Sequence, residues 1–341
     1  MISSSVVKEA VFLELLPRLR ESIALKCKGI LGPDPTKGDI QEGRVLNRLV
    51  QYSADDRGPY VQIEADPRHA EIIKSELNMN DKTKGRSTPG EKPKRGEAPD
   101  LTPLEPGLIT FYRSLTMRAK SMVEDRYDCK FAAKELARDM TNPTKFSFEK
   151  LKKLARYLIS QPRCVLRMHW QSKQSRLLAS SDSDWAGCLV TRRSTTAVVL
   201  RHGEHFIRGY SGTQLIPALS SSEAEYNAGV KSIGAILGLQ AYCEDLGLDL
   251  KCHAEFDSTG AIGIMKRTGL GQVRHLATPL LWVQAIVAQG RCTISKKLGK
   301  ENVADAGTKY LTWPELEKHV TRMGFVFLKE SQHSLALKAQ F

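Results

Sequence analysis

No apolar run in this 341-residue sequence approaches the ~20 residues that a membrane-spanning helix needs. No charged start leads into an apolar block, so the reading is a soluble, non-secreted chain working in cytoplasm or nucleus, with no membrane partner. Cysteine is sparse. The seven at positions 27, 129, 164, 188, 243, 252 and 292 are scattered and odd in number, and no CxxC pair occurs. That argues against a zinc site and against a disulfide framework. Acids are short relative to bases, 38 against 51, which leaves a formal charge of +13. A surplus of that size favours polyanionic partners, although an inert basic surface has the same composition. With 41% hydrophobic and 26% charged residues, the chain has enough apolar content to build a core.

Along the chain the grammar changes twice. In residues 1–80, Val11 to Leu25 has helical spacing interrupted by Pro17. Arg44 to Ile63 alternates like a hairpin around Asp55-Asp56-Arg57-Gly58. EADPRHAEIIKSELNM reads as a helix capped by Asp66, with Pro67 at its first position. Residues 81–108 form a basic, proline-rich linker, expected to be a solvated connector. Between Asp81 and Arg95 it has six basic and two acidic residues. Residues 109–163 return to helical periodicity. From 164 onward strands dominate. CVLRMHW, RLLASSDSDW, STTAVVLRHG and EHFIRGYSG precede a long helix ending near Gly247. Strand LKCHAEFDS, helix TGAIGIMKR, helix PLLWVQAIVAQG and strand CTISKKLG follow, and two helices close the chain. This order predicts a mixed α/β sheet with helices on its faces.

Four acids fall at the punctuation marks of that second half: Asp182 in an early strand, Glu225 in the first turns of the long helix, Asp257 at a strand end and Asp305 opening a late helix. Open α/β sheets bind ligands at strand ends. Four carboxylates gathered there repel unless cations lie between them, and two divalent ions with oxygen ligands answer that need. Each acid also has an ordinary structural use. Ser222-x-x-Glu225 and Ser220-x-x-Glu223 both fit a capping box, Asp257 can cap the helix near Ser258, and Asp305 can serve as a first-turn acid. Spacing alone leaves both uses open.

Five pieces then occur in one order over about 130 residues: SSDSDWAG, TRRSTT, ALSSSEAEYNAG, FDSTGAIGIMK and ENVADAGTKYL. They resemble the ribonuclease H domain of copia-type retrotransposon Pol polyproteins, with its S-D-x-D-W-A-G strand, R-R-S-T hairpin, A-L-S-S-x-E-A-E-Y helix and final A-D-x-x-T-K. Upstream, FYRSLTMRAKSM and RDMTNPTKFSFEKLKKLARYLIS are similar to the stretch that joins reverse transcriptase to nuclease in those polyproteins. ADPRHAEIIKSELNM with STPG resembles the segment before it. The implied organisation is the end of a reverse-transcriptase palm at 1–80, the linker at 81–108 and a helical thumb and connection at 109–163. A ribonuclease H-like domain at 164–312 and a C-terminal helix and tail at 313–341 complete it. The implied fold class is α/β: a ribonuclease H-like mixed five-stranded sheet with flanking helices, preceded by a mostly helical reverse-transcriptase remnant. The polymerase signature, an aromatic-x-D-D turn, is not in the sequence, so the resemblance implies a fragment without polymerase activity.

What the resemblance implies for function is hydrolysis of the RNA strand of an RNA–DNA hybrid, leaving a 3′-hydroxyl and a 5′-phosphate. The catalytic, metal-holding residues would be Asp182, Glu225, Asp257 and Asp305. The cofactor would be two Mg²⁺ ions, with Mn²⁺ able to stand in. Arg192, Arg193, Gln214, Lys266, Arg274, His275 and Lys296 would bind nucleic acid, with Arg267 and Lys297 beside them. Asp184 is a second-tier acid by strand alternation, and Trp185 is expected to pack beneath the site. The partners would be the hybrid and the polymerase part of the polyprotein. Departures are visible too. GYSGTQL lacks the basic residues common in that hairpin, and Arg274-His275-Leu276-Ala277 replaces K-H-I-D. KKLGKENVAD has no histidine before its aspartate. These departures favour the runner-up, a weakly active or inactive nucleic-acid-binding relic. A third reading, a DNA nuclease or integrase-like member of the fold, runs against the E-A-E-Y helix.

Overall fold

The computed structural model describes residues 29–329 except 81, 93–97, 189 and 272–277, together with 17, 20, 21 and 24. Most of the helix expected over Val11 to Leu25 lies outside these residues, as do Arg274 and His275.

Strands β1 (Glu42–Val45), β2 (Arg48–Asp55) and β3 (Gly58–Glu64) form a meander. The expected hairpin is β2–β3, closed at the pair Asp55 and Gly58. Gly58 sits at φ +103°, a backbone region that costs glycine nothing. Helix α1 (Pro67–Glu76) starts as read, the Asp66 carboxylate accepting the Arg68 N–H at 3.1 Å. Helices α2 (Pro106–Met122), α3 (Lys130–Arg138) and α4 (Lys145–Ser160) follow. Their buried faces meet α1 in one cluster around Ile73, Tyr112, Leu115, Leu151 and Leu154. The 82–92 stretch is tied to α4 rather than solvated throughout. Arg86 N–H donates to the Arg156 carbonyl at 3.2 Å, and Glu91 pairs with Lys153 at 2.8 Å.

The next strand, β4 (Arg163–His169), is where expectation and structure part. Placed by sequence at the head of the 164–312 unit, it pairs with β3 and with the C-terminal strand β10 (Phe325–Leu328). The first sheet therefore runs β1-β2-β3-β4-β10, antiparallel throughout, and adds a sheet to the expected helical module. CVLRMH shows that a strand is buried but not which sheet takes it. Cross-strand partners decide that, among them Glu64, whose carboxylate takes two Arg163 N–H bonds at 2.7 Å.

Strands β5 (Arg176–Asp184), β6 (Thr195–His202), β7 (His205–Thr213), β8 (Lys251–Phe256) and β9 (Cys292–Lys296) make the mixed sheet expected from the sequence. Its order is β7-β6-β5-β8-β9. The β5–β6 and β6–β7 pairs are antiparallel, the β5–β8 and β8–β9 pairs parallel. Helices α5 (Ser221–Asp245), α6 (Thr259–Lys266) and α7 (Trp282–Ala288) cover one face through Val198, Tyr226, Ile233, Ala254 and Phe256. The other face, with Ala197, Val199 and Phe206, packs on Cys164, Leu166 and Phe325 of the first sheet. Val303, Ala304, α8 (Trp313–Thr321) and Tyr127 fill the same layer. This is the mixed α/β sheet that the resemblance implies, with one face packed on the paired strands β4 and β10 of its neighbour. All six described cysteines are buried and free of disulfides.

Candidate active site

Parallel pairing sets the site. Ser180 on β5 lies opposite Glu255 on β8, so two residues further Asp182 and Asp257 reach the same edge. Helix α5 crosses β5 and brings Glu225 there from its second turn. Its N-cap is Ser220, whose hydroxyl accepts the Glu223 N–H at 3.1 Å, while the Glu223 carboxylate takes the Leu219 N–H at 2.8 Å. The capping work therefore falls to Glu223 and leaves Glu225 for the cleft. Ser258, not Asp257, caps α6. Asp182, Glu225 and Asp257 each present a carboxylate oxygen within 4.8 Å of the others.

Asp305 arrives on a short 3₁₀ turn, Val303–Gly307. Asn302 fixes that turn, donating to the Ser181 carbonyl at 2.8 Å and accepting from Ala304 N–H. Ser211 clamps its far end through the Gly307 carbonyl at 2.6 Å. A side chain at 307 would not fit, since a Cβ there would lie 2.7 Å from that of Ala197. Asp305 stands outside the trio's tight group, with Lys309 Nζ 2.9 Å from its Oδ2 and 3.9 Å from Asp182 Oδ2. The Thr308 hydroxyl donates to Asp182 Oδ2.

Crowding of like charge shows in the proton affinities. Burial, then the charges of Asp182 and Asp257, push the Glu225 carboxyl up to about 9, against the Ser183 N–H it accepts at 3.2 Å. Burial and Asp182 push Asp305 up to about 7 and raise Asp257. Burial works against the Lys309 ammonium, but Asp182 and Asp305 outweigh it and raise its proton affinity. An all-oxygen set of buried carboxylates with unrelieved repulsion fits a hard divalent cation.

The remaining expected residues fall in different places. Asp184 shares the strand but not the group: it accepts the Thr195 N–H, and burial pushes it up to about 6. Trp185 does not pack beneath the site. It is 53% exposed and donates its indole N–H to the Ala218 carbonyl at 3.0 Å, because β5 ends at Asp184 and the chain turns outward. Gln214 faces inward, its amide nitrogen donating to Ser183 Oγ, Thr196 Oγ1 and the Ala224 carbonyl. Arg192, Arg193, Lys266 and Lys296 are exposed. Lys296 donates to Thr259 Oγ1 at 2.7 Å, and Lys297 is drawn to Glu255 at 2.6 Å. Two lysines near the site also had no role assigned from sequence. Lys309 was legible as the i+4 partner of Asp305. Lys134 was not: it is a buried lysine of α3 that donates to Thr195 Oγ1 at 2.6 Å, and nothing local in the sequence marks it.

No protein-family model matches the chain. Against the Retrovirus-related Pol polyprotein from transposon TNT 1-94 of Nicotiana tabacum it is 28% identical over 191 residues, 55% of this chain and 14% of that protein. Against the Uncharacterized mitochondrial protein AtMg00810 of Arabidopsis thaliana it is 32% identical over 202 residues, 54% of this chain and 82% of that one. The crystal structure of LC11-RNase H1 in complex with RNA/DNA hybrid aligns over 39% of this chain and 94% of its own, at 17% identity and a TM-score of 0.28. The chain thus spans about one seventh of the transposon polyprotein it matches. By sequence kinship and by the order of its motifs, its curated relatives include the Pol polyproteins of copia-type retrotransposons, at modest identity over about half of the chain.

Proposed function

We propose that the chain is a metal-dependent endonuclease that cuts the RNA strand of an RNA–DNA hybrid. The observation that carries this reading is the convergence of Asp182, Glu225 and Asp257 to within 4.8 Å, from two strands and a helix, with Asp305 beside them. Asp182, Glu225 and Asp257 hold the divalent ion, Mg²⁺ or Mn²⁺, and Asp305 stands where the resemblance places ligands of a second. The chemistry that bound divalent ions supply at such a site is water activation and neutralisation of charge growing on phosphodiester oxygens. The protein's own contribution is placement. Asn302 and Ser211 hold the Asp305 turn, Ser183 N–H orients Glu225, and Thr308 orients Asp182. Exposed Arg192, Arg193, Lys266 and Lys296 form the rim for phosphates, and discrimination of RNA from DNA rests on the 2′-hydroxyl in a wide minor groove. Residues 109–163 are the thumb and connection side, the docking partner of a polymerase portion.

One observation favours the binding-relic reading instead: the segment 209–216 carries no basic residue and its Gln214 is turned inward. Cleavage of a labelled hybrid by the purified chain separates the two. The enzyme cuts with Mg²⁺, stops with EDTA and loses activity in Asp182→Asn while keeping its affinity. Binding without cutting under any divalent ion leaves the relic, and equal cutting of duplex DNA removes the hybrid specificity.

A further inference from the structure

The four family acids divide into two unequal sets. Asp182, Glu225 and Asp257 form one tight group, whereas Asp305 lies outside it and is already paired. Its partner is the Lys309 ammonium, 2.9 Å away, which also approaches Asp182 Oδ2 at 3.9 Å. The lysine side chain is 37% exposed, so most of its length is packed, unlike a solvated surface lysine. Its backbone is fixed by the preceding residue. Thr308 donates its N–H to the Asp305 carbonyl at 3.2 Å and its hydroxyl to Asp182 Oδ2. Two consecutive side chains thus supply a hydroxyl and an ammonium to the same edge of Asp182.

We propose that Lys309 is a built-in cation of the site: its ammonium occupies the Asp182–Asp305 side, and the chain takes up a single divalent ion at Asp182, Glu225 and Asp257. The proposal rests on the hydrolytic reading above and departs from the two-ion expectation. The physical reason is competition. A second divalent ion bridging Asp182 and Asp305 must displace a compact ammonium already at contact distance, or lie beside it with like charge. Lys309 touches carboxylates rather than substrate, so it is a positioning residue. Its signature is the number of ions bound.

The experiment is uptake of Mn²⁺ by the full chain at neutral pH, followed by the paramagnetic signal of free Mn²⁺. The forms compared are the wild type, Lys309→Met, Lys309→Gln, Lys309→Arg and Asp257→Asn. One ion per chain is expected in the wild type and in Lys309→Arg. Two are expected in the neutral variants, the second at least tenfold tighter than any second uptake by the wild type. Asp257→Asn weakens the single tight ion at least tenfold. Either neutral variant suffices if the other does not fold. Two equally tight ions in the wild type, or one ion in both neutral variants, overturn the role of Lys309. If the wild type still cuts hybrid in that case, the hydrolytic reading survives. No ion in any form, with no cutting, overturns both.

Discussion

In the first sheet the Glu64 carboxylate is buried against the Arg163 guanidinium at 2.7 Å, and in the turn before α3 Asp128 meets Arg126 at 2.7 Å with Tyr157 donating at 2.8 Å. In the second sheet Asp182, equally buried, faces Glu225 and Asp257. Burial is similar, yet the neighbours are opposite in sign. A paired buried carboxylate holds architecture together, and removing it strands a buried cation. Clustered buried carboxylates hold repulsion that a bound cation relieves, which trades stability for ligand binding.

The largest test of that contrast is catalytic. Asp182→Asn is expected to lower hybrid cleavage by about a thousandfold or more, read in single-turnover assays, while urea unfolding stays near that of the wild type. Next, Asp128→Ala is expected to lower unfolding free energy by about 3–5 kcal/mol, because Arg126 is left buried and unpaired. The double replacement Arg126→Met with Asp128→Leu should recover most of that loss in the same denaturant titration. A loss in Asp128→Ala below about 1 kcal/mol would erase the distinction between paired and clustered buried carboxylates.

The pH response sharpens it further. Glu225 holds its proton up to about 9 and Asp305 up to about 7, against 4.5 and 3.8 for unperturbed groups. Between those values the folded state binds more protons than the unfolded one. Stability of the metal-free chain is therefore expected to fall as pH rises from about 5 to 9. Millimolar Mg²⁺ should flatten the slope, and thermal melts with EDTA or Mg²⁺ measure both. Glu225→Gln, removing an acid as Asp128→Ala does, should instead stabilise the metal-free chain by about 1–2 kcal/mol. The smallest effect belongs to the exposed rim. Arg192→Ala or Arg193→Ala should weaken hybrid binding only a few-fold and reduce the salt slope by about one, seen by titration at several ionic strengths.

Local signals were readable wherever one residue does one local job. The Asp66 cap, the Asp55–Gly58 turn and the strand-helix order from 176 to 296 all appear where sequence placed them. Which of Glu223 and Glu225 caps the helix was not readable, because both spacings fit and only the direction of each side chain decides. Gln214 was expected at the nucleic-acid surface and is half-buried, its amide nitrogen taken up by a carbonyl and two hydroxyls. Trp185 was expected beneath the site and is exposed, since its strand ends at Asp184 and its indole N–H goes to the Ala218 carbonyl.

By itself the sequence determined the kin of this chain, its α/β sheet and the identity of four acids, because ordered motifs and alternation of apolar residues are encoded locally. Tertiary structure alone decided that β4 and β10 pair in the first sheet and pack on the second, and that Lys134 reaches Thr195. It also decided that Asp305 answers to Lys309 while the other three acids answer to one another. Those outcomes depend on which distant segments meet, and charge at a distance of 3–4 Å acts only once they do.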